Sequence, residues 1–106
     1  IICFTTSGST ARRIARERPS VPLLMLTPKL ATARQMGLTW GVHGVHTKDV
    51  SSFEEMVAKA KRTALRQGLA SGGDRVIVMA GVPFGMPGST NVLHVVRLTG
   101  DELKGR

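Results

Sequence analysis

Short apolar runs alternate along this chain with segments in which apolar residues recur at helical spacing, and this alternation restricts the fold more than any other feature. The predicted strands span residues 1–4, 23–26, 42–46, 75–80 and 91–98, and the strand signal at 42–46 is the weaker one. Helical segments follow the first three runs through short connections. Strands that alternate with helices in this way form a mostly parallel sheet with right-handed crossovers and helices on both faces. The sequence therefore predicts an α/β fold, a three-layer α/β/α sandwich.

The connection between the fourth and fifth predicted strands contains no helix. Residues 81–90 include three glycines and two prolines, which are too many helix breakers for a helix to form. A strand that follows so directly pairs antiparallel with its predecessor at an edge of the sheet. If the first three strands step outward in one direction and the fourth lies on the other side of the first, the order is 3-2-1-4-5. The predicted sheet is five-stranded, mostly parallel with the last strand antiparallel, and has a topological switch point between strands one and four.

Capping and breaking residues set the boundaries of the first two helices. The first helix is predicted over residues 10–18, because Pro19 cannot continue it. The second helix begins with Thr27 as its N-cap and Pro28 in the first helical position. Gly37 is predicted to end it as a left-handed cap.

The third helix has the strongest start and stop signals. Ser51 and Ser52 each stand three residues before a Glu, which is the spacing of a capping box, and Gly68 closes the helix. Its predicted apolar face carries Phe53, Met56, Val57, Ala60 and Ala64. Cations suit the macrodipole near its C-terminal end, where the chain has Lys59, Lys61, Arg62 and Arg66. Part of the net charge of +8 therefore has a structural interpretation.

Length and composition fit one domain spanning residues 1–106. Hydrophobic residues make up 42% and charged residues 21% of the chain, a balance typical of globular proteins rather than disordered ones. The single cysteine, Cys3, lies in an apolar run, so we expect a buried thiol and no disulfide. No apolar stretch is long enough to cross a bilayer and no leader opens the chain, so a cytoplasmic location is expected. Because the chain lacks an initiator Met and begins within a strand, we interpret it as a piece of a longer protein.

Two loops are predicted to meet beside the switch point. Open α/β sheets bind ligands at the carboxyl ends of the strands at such a point, where residues 5–10 and 81–90 would face each other. The first loop offers free N–H groups at a helix N-terminus together with the hydroxyls of Thr5, Thr6, Ser7, Ser9 and Thr10. Such a loop can hold a phosphate, or it can be a strand-to-helix turn with nothing bound. A phosphorylated small molecule is the predicted ligand.

Four segments of the chain resemble the C-terminal domain of pyruvate kinases in their residues and in their order. They are residues 4–12 (FTTSGSTAR), 16–24 (RERPSVPLL), 27–28 with 32–35 and 40–42, and 73–78 continuing to 88–91. The resemblance covers nearly the whole chain. It implies a domain that lies beside a catalytic (β/α)₈ barrel, binds phosphorylated allosteric effectors and builds one subunit contact of a homotetramer.

The resemblance also implies which residues bind the effector. Its phosphate-binding loop corresponds to Thr5, Thr6, Ser7, Gly8, Ser9 and Thr10. Its second effector loop corresponds to Gly81, Phe84, Gly85, Met86, Gly88, Ser89 and Thr90. Family members that respond to fructose 1,6-bisphosphate usually have a lysine where this chain has Thr6, and no Lys or Arg lies between residues 76 and 96. A sugar monophosphate or AMP, or only an inorganic anion, is therefore expected rather than the bisphosphate.

The resemblance implies that the parent enzyme transfers a phosphoryl group between phosphoenolpyruvate and ADP. It also implies that this reaction takes place in the barrel and uses Mg²⁺ and K⁺. No residue of this chain is expected to be catalytic, and no cofactor is expected in it. His43 and His46 lie three apart in a strand and point to different faces, so with the distant His94 they are not expected to bind a metal. Trp40 is expected to pack in the core or at an interface.

Two other functions compete with this interpretation. A pI of about 11.2 suggests a nucleic-acid-binding module, but aromatic residues are only 4% of the chain and no recognition motif is present. A stand-alone phosphate-ligand-binding protein or enzyme is the second, but the hydroxyls have no nearby His or carboxylate to activate them.

Apolar Phe84 and Met86 on a loop tip are expected to contact a ligand or partner. We expect four arginines of the first helical segment to face solvent, a neighbouring subunit or the effector phosphate. They are Arg12, Arg13, Arg16 and Arg18.

Overall fold

Five strands form a single sheet in the computed structural model, which describes residues 1–5, 8–39, 41–48, 52–80 and 92–99. The strands are β1 (Ile2–Phe4), β2 (Leu23–Thr27), β3 (Val42–His46), β4 (Arg75–Ala80) and β5 (Val92–Arg97). Their order is β3-β2-β1-β4-β5. The pairs β1–β2, β1–β4 and β2–β3 are parallel, whereas β4–β5 is antiparallel. The predicted order, the switch point beside β1 and the antiparallel last pair are confirmed.

Helices cover both faces of this sheet. Within the described residues they are α1 (Ser9–Arg16), α2 (Leu30–Met36) and α3 (Phe53–Arg66). α3 packs on one face, and α1 and α2 pack on the other. The three-layer α/β/α sandwich is therefore confirmed. None of the helices in the described ranges is long and apolar enough to span a membrane.

The face of the sheet beneath α3 holds the larger core cluster. α3 contributes Met56, Ala60 and Ala64, whose spacing places them on one side of the helix. The strands contribute Ile2, Leu24, Leu26, Val76, Val78 and Ala80. Each large apolar side chain buried in this way contributes about 1.5–3 kcal/mol relative to leaving it in water. α3 is therefore held by Met56, Ala60 and Ala64 of its predicted apolar face, with Val57 partly buried against them. The side chain of Phe53 lies outside what the structure describes.

A second core cluster lies on the opposite face, beneath α1 and α2. The strand side chains alternate between the two faces, so Cys3 and Met25 point away from α3 and meet Ala11 of α1 and Met36 of α2. Cys3 and Met25 have no exposed surface. The free, buried thiol predicted for Cys3 is confirmed.

Gly44 allows α2 to approach β3 at backbone distance. A Cβ atom at Gly44 would lie 2.9 Å from the carbonyl oxygen of Ala33, closer than real Cβ atoms come to other groups. The obstructing atom belongs to the backbone of α2, so it cannot turn aside as the end of a side chain can. The α2 layer therefore rests directly on the backbone of the edge strand.

The predicted start of α2 is wrong by two residues. Thr27 is the last residue of β2, and its hydroxyl oxygen accepts a hydrogen bond from the N–H of Lys29 at 3.2 Å. The helix begins only at Leu30, with Lys29 in the extended N-cap conformation. Thr27 therefore closes a turn between strand and helix, a use of its hydroxyl that competes with helix capping.

The predicted left-handed cap at Gly37 is also wrong. Gly37 has φ −61° and ψ −18°, which is right-handed. Beyond it the chain stays tightly wound, since the N–H groups of Leu38 and Thr39 donate to the carbonyl oxygens three residues earlier, at 3.2 and 3.0 Å. The left-handed glycine that precedes β3 is Gly41, with φ +76°.

The first helix ends two residues before the predicted boundary. α1 stops at Arg16, and Arg18 has φ +48°, a left-handed conformation uncommon outside glycine. The N–H of Arg18 donates to the carbonyl oxygen of Ala15 at 3.0 Å, as is usual for a left-handed residue just past a helix. Pro19 follows this turn instead of terminating the helix directly.

The predicted limits of α3 are confirmed at both ends. Ser52 is its N-cap, and the hydroxyl oxygen of Ser52 accepts a hydrogen bond from the N–H of Glu55 at 3.1 Å. Gly68 has φ +71° just beyond the last turn. The overlapping capping box at Ser51, like the position of Trp40, lies outside the described residues.

One face of β4 is less covered than its apolar sequence predicts. Val76, Val78 and Ala80 are buried beneath α3, whereas Ile77 and Met79 are half-buried. Their β5 partners on this side of the sheet are Val95 and Leu93, which are 57% and 63% exposed. The nearly all-apolar run at residues 75–80 predicts a strand covered on both faces. This prediction is wrong for the described residues, because α1 and α2 pack over β2 and β3 instead.

The ionisation of Cys3 makes a testable contribution to alkaline stability. Burial raises the pKa of the Cys3 thiol from its ordinary value of 9.0 to about 12. The unfolded chain therefore loses this proton first, and the free energy of unfolding falls as pH rises from 9 toward 12. We expect the stability difference between the native chain and Cys3→Ala to narrow from pH 8.5 to pH 10.5 in urea unfolding. A difference that stays constant would contradict the burial of the thiol, because lysine titration affects both proteins equally.

Candidate phosphate-binding site

The loop that follows β1 leaves the sheet at its carboxyl edge, beside β4. Thr5 extends the β1–β2 pairing by one residue, since its N–H donates to the carbonyl oxygen of Leu26 at 3.1 Å. Cys3 of β1 pairs with Met79 of β4, and β4 ends one residue later at Ala80. Because the two strands are parallel, the segments after Thr5 and Ala80 leave at the same edge of the sheet.

The hydroxyl of Thr5 closes the loop. Its oxygen accepts a hydrogen bond from the N–H of Gly8 at 3.0 Å. A hydroxyl has one donor and two acceptor positions, so this bond leaves the Thr5 O–H able to donate to a ligand oxygen. Thr5 is half-buried, which keeps it within reach of the surface.

Gly8 forms the corner between this loop and α1. Gly8 has φ +86° and ψ 0°, a left-handed conformation that costs most other residues about 1–2 kcal/mol. A Cβ atom there would also lie 3.2 Å from the sulfur of Met36 and 3.4 Å from Cγ2 of Thr32. The backbone of the loop thus lies directly on two side chains of α2.

The N-terminus of α1 is suited to an anion. Gly8 is the N-cap residue and supplies no side-chain cap to the first turn, which also contains no acidic residue. The first N–H groups of a helix lack intrahelical acceptors, and the helix dipole is positive at this end. Backbone donors and the Thr5 hydroxyl are therefore arranged at the start of one helix.

The structure describes part of the predicted site. Thr5, Gly8, Ser9 and Thr10 occupy the end of β1 and the first turn of α1 as predicted, with Thr10 half-buried. Thr6 and Ser7 lie outside the described residues, and so does the predicted second loop: Gly81, Phe84, Gly85, Met86, Gly88, Ser89 and Thr90. The meeting of the two loops stays a prediction.

Met36 and Thr32 are parts of the site that sequence reasoning missed. Their spacing of four residues places them on one face of a helix, but nothing in the sequence relates that face to Gly8. The histidines do not join this site: His43 and His46 are exposed on the edge strand, and His46 Nε2 lies 3.2 Å from the carbonyl oxygen of Pro28. Across the described ranges, no three His, Cys, Asp or Glu side chains group as metal ligands.

The family model of the pyruvate kinase alpha/beta domain matches residues 1–96. The chain belongs to this family. Pyruvate kinase from Methylorubrum extorquens is 48% identical over 99 residues, which are 93% of this chain and 21% of that protein. A pyruvate kinase from Agrobacterium vitis is 46% identical over 97 residues, covering 92% of this chain and 20% of its own length. One from Staphylococcus aureus is 42% identical over 103 residues, covering 97% and 17%.

The matches cover nearly all of this chain but little of the relatives. The chain spans about a fifth of the length of the curated pyruvate kinases that it matches. The resemblance that the sequence motifs indicated is confirmed, and it corresponds to the alpha/beta domain of these enzymes.

The corner at Gly8 can be tested against a second left-handed glycine. Gly8→Ala should lower the free energy of unfolding by more than Gly68→Ala, as measured by urea unfolding. Both substitutions place alanine at positive φ, at about 1–2 kcal/mol each. A Cβ at Gly8 also crowds Met36, whereas a Cβ at Gly68 has nothing within 4 Å. Equal losses would contradict the close contact between the loop and α2.

Proposed function

We propose that this chain is the regulatory and oligomerisation domain of a pyruvate kinase, which transfers a phosphoryl group between phosphoenolpyruvate and ADP. The observation that supports this proposal is the family match over residues 1–96, together with 42–48% identity to pyruvate kinases that are about five times longer. The domain contributes effector binding and one subunit contact of a homotetramer. Catalysis, with Mg²⁺ and K⁺, belongs to a barrel elsewhere in the parent enzyme.

In this proposal the described part of the loop after β1 binds a ligand and has no catalytic role. Hydroxyls such as that of Thr5 become nucleophiles only beside a general base. The hydroxyl oxygen of Thr5 accepts a bond from a backbone N–H, and no His, Asp or Glu belongs to the described part of the loop. The loop is thus suited to binding an anion rather than to activating a nucleophile.

In the proposed site, the effector phosphate is bound at the corner between β1 and α1. The Thr5 hydroxyl donates to one phosphate oxygen, and the first N–H groups of α1 donate to others. Gly8 allows this approach, because a residue with a Cβ would be strained at φ +86° and would crowd Met36. Thr6, Ser7, Ser9 and Thr10 complete the loop in the proposal.

A monophosphate is favoured over a bisphosphate by the distribution of charge. The segment between residues 76 and 96 contains neither Lys nor Arg, so its loop has no cation for a second phosphate. The proposed effector is a sugar monophosphate or AMP. Residues Gly81, Phe84, Met86 and Ser89 of the second loop would contact its remaining part.

The effector site can be tested by thermal unfolding of the chain. Inorganic phosphate, glucose 6-phosphate and AMP should each raise the melting temperature, because a ligand at 100 times its Kd stabilises the folded state by about 2.7 kcal/mol. The combined substitutions Thr5→Ala and Ser7→Ala should reduce this rise, because they remove the hydroxyl donors of the loop. Thr5→Ser retains a hydroxyl and serves as the matched control, which should keep most of it.

The same measurement separates the competing functions. A fructose 1,6-bisphosphate effect larger than that of the monophosphates would contradict the preference for one phosphate. Tight, salt-sensitive binding of an oligonucleotide with no phosphate effect would favour a nucleic-acid-binding module. An unchanged phosphate effect in the double variant would remove loop 5–10 from the proposal.

The parent activity is tested in the full-length protein that contains this chain. It should form pyruvate from phosphoenolpyruvate and ADP, and the monophosphate should shift the phosphoenolpyruvate concentration required for half-maximal rate. The Thr5→Ala and Ser7→Ala protein should lose this shift, whereas Thr5→Ser should retain it. Absence of pyruvate formation would reject the parent activity, and a shift retained by the double variant would reject the location of the effector site.

A further inference from the structure

A basic cavity lies between α3 and the edge strand, apart from the loop at residues 5–10. Its volume is about 240 Å³. The end of β3 and the residue after it contribute Val45, His46 and Thr47, and α3 with its C-cap contributes Lys59, Arg62, Thr63, Arg66 and Gln67. Among these described lining residues there is no Asp or Glu. The cavity therefore combines three fixed cations with no anion in its wall.

The three cations form a single stripe along α3. Lys59, Arg62 and Arg66 lie at positions i, i+3 and i+7, which share one face of a helix. Like charges at such neighbouring positions destabilise a helix. Lys59 and Arg62 are also half-buried, so part of their hydration is lost. A bound anion would relieve both costs.

The helix macrodipole accounts for only part of this arrangement. Arg66 lies in the last turn of α3, where the dipole favours a cation. Lys59 and Arg62 lie earlier in the helix, and the dipole effect falls off within one turn. The ammonium group of Lys59 donates to the carbonyl oxygen of Lys48 at 3.0 Å, which accounts for its place beside the end of β3. The dipole does not account for the placement of Arg62.

Two hydroxyl groups in the wall of the cavity already donate to backbone carbonyl oxygens. The hydroxyl of Thr63 donates to the carbonyl oxygen of Lys59 at 2.8 Å, and that of Thr47 donates to Lys48 at 2.8 Å. These two hydroxyls are thus occupied as donors. The donors that remain for a ligand are the guanidinium groups of Arg62 and Arg66, whose planar forks match the oxygens of a phosphate.

We propose that this cavity binds a small phosphate compound of two or more negative charges, at a site separate from loop 5–10. Two guanidinium groups and an ammonium group match such an anion in charge, and the guanidinium forks match it in geometry. A volume of about 240 Å³ lies just below the range of about 300–1,000 Å³ for drug-sized ligands. The site therefore takes a phosphate or diphosphate group with few further atoms. Binding would join the second half of α3 to the edge strand.

Titration of the full ¹⁵N-labelled 106-residue chain with inorganic pyrophosphate tests this proposal. Amide resonances of residues 45–47 and 59–67 should shift in a saturable manner, and chloride at the same ionic strength should not reproduce the shifts. Arg62→Gln with Arg66→Gln should weaken this binding by about tenfold or more, because two charge-assisted contacts are lost. Arg62→Lys with Arg66→Lys keeps the charge but not the forks, and should weaken binding by an intermediate factor.

A matched variant controls for the general loss of positive charge. Arg13→Gln with Arg34→Gln removes two exposed cations from α1 and α2, on the opposite face of the sheet. Its pyrophosphate affinity at the cavity should stay within about twofold of the native value. Equal weakening in both double variants would overturn the proposal, and so would chloride shifts equal to those of pyrophosphate.

Two further measurements keep the result interpretable. The melting temperature of the Arg62→Gln and Arg66→Gln chain without ligand should not fall, since its helix loses like-charge repulsion. If this melting temperature does fall, the affinity for pyrophosphate is compared between the native chain and the Arg62→Lys and Arg66→Lys chain instead. An unchanged affinity in the lysine variant would overturn the role of the guanidinium groups. The Thr5→Ala and Ser7→Ala chain should keep the cavity shifts, so the two sites can fail independently.

Discussion

The parallel pairing of β1 with both of its neighbours holds the two halves of the sheet together. β1 has three residues, all of which pair with β2, while Ile2 and Cys3 also pair with β4. Its side chains alternate between the faces, so Ile2 enters the core beneath α3 and Cys3 enters the core beneath α1 and α2. Both cores, and the edge at which the chain leaves the sheet at Thr5, depend on this short strand.

The features that sequence reasoning predicted correctly rest on local chemistry or on strong topological rules. The limits of β4 follow from an apolar run between turn residues, and the cap at Ser52 follows from a hydroxyl three residues before a Glu. The strand order follows because right-handed crossovers and a missing helix leave few arrangements for five strands. The same switch point is the reason for predicting a ligand at residues 5–10, and the ligand-binding role of this loop stays a prediction.

The features that were missed depend on distances between elements. Thr27 and Gly37 have the residue types of caps, but the turn into α2 and the winding after it set their actual roles. The contact of Gly8 with Met36 joins residues far apart in sequence. The basic stripe of α3 resembles an ordinary solvated helix face until the end of β3 is placed beside it. No local pattern encodes such a contact, because it exists only after the layers are packed.

Because Gly44 has no side chain, α2 lies in close contact with the edge strand β3, and the same helix also contacts the loop after β1. The backbone of β3 touches the Ala33 carbonyl with no compressible side chain between them, and three residues further along the same helix Met36 lies beneath Gly8. Close-packed protein interiors have low compressibility and transmit strain. A displacement of the edge strand toward α2 would therefore be carried to the loop after β1. Glycine at position 44 thus sets how stiffly the rim of the sheet is joined to its centre.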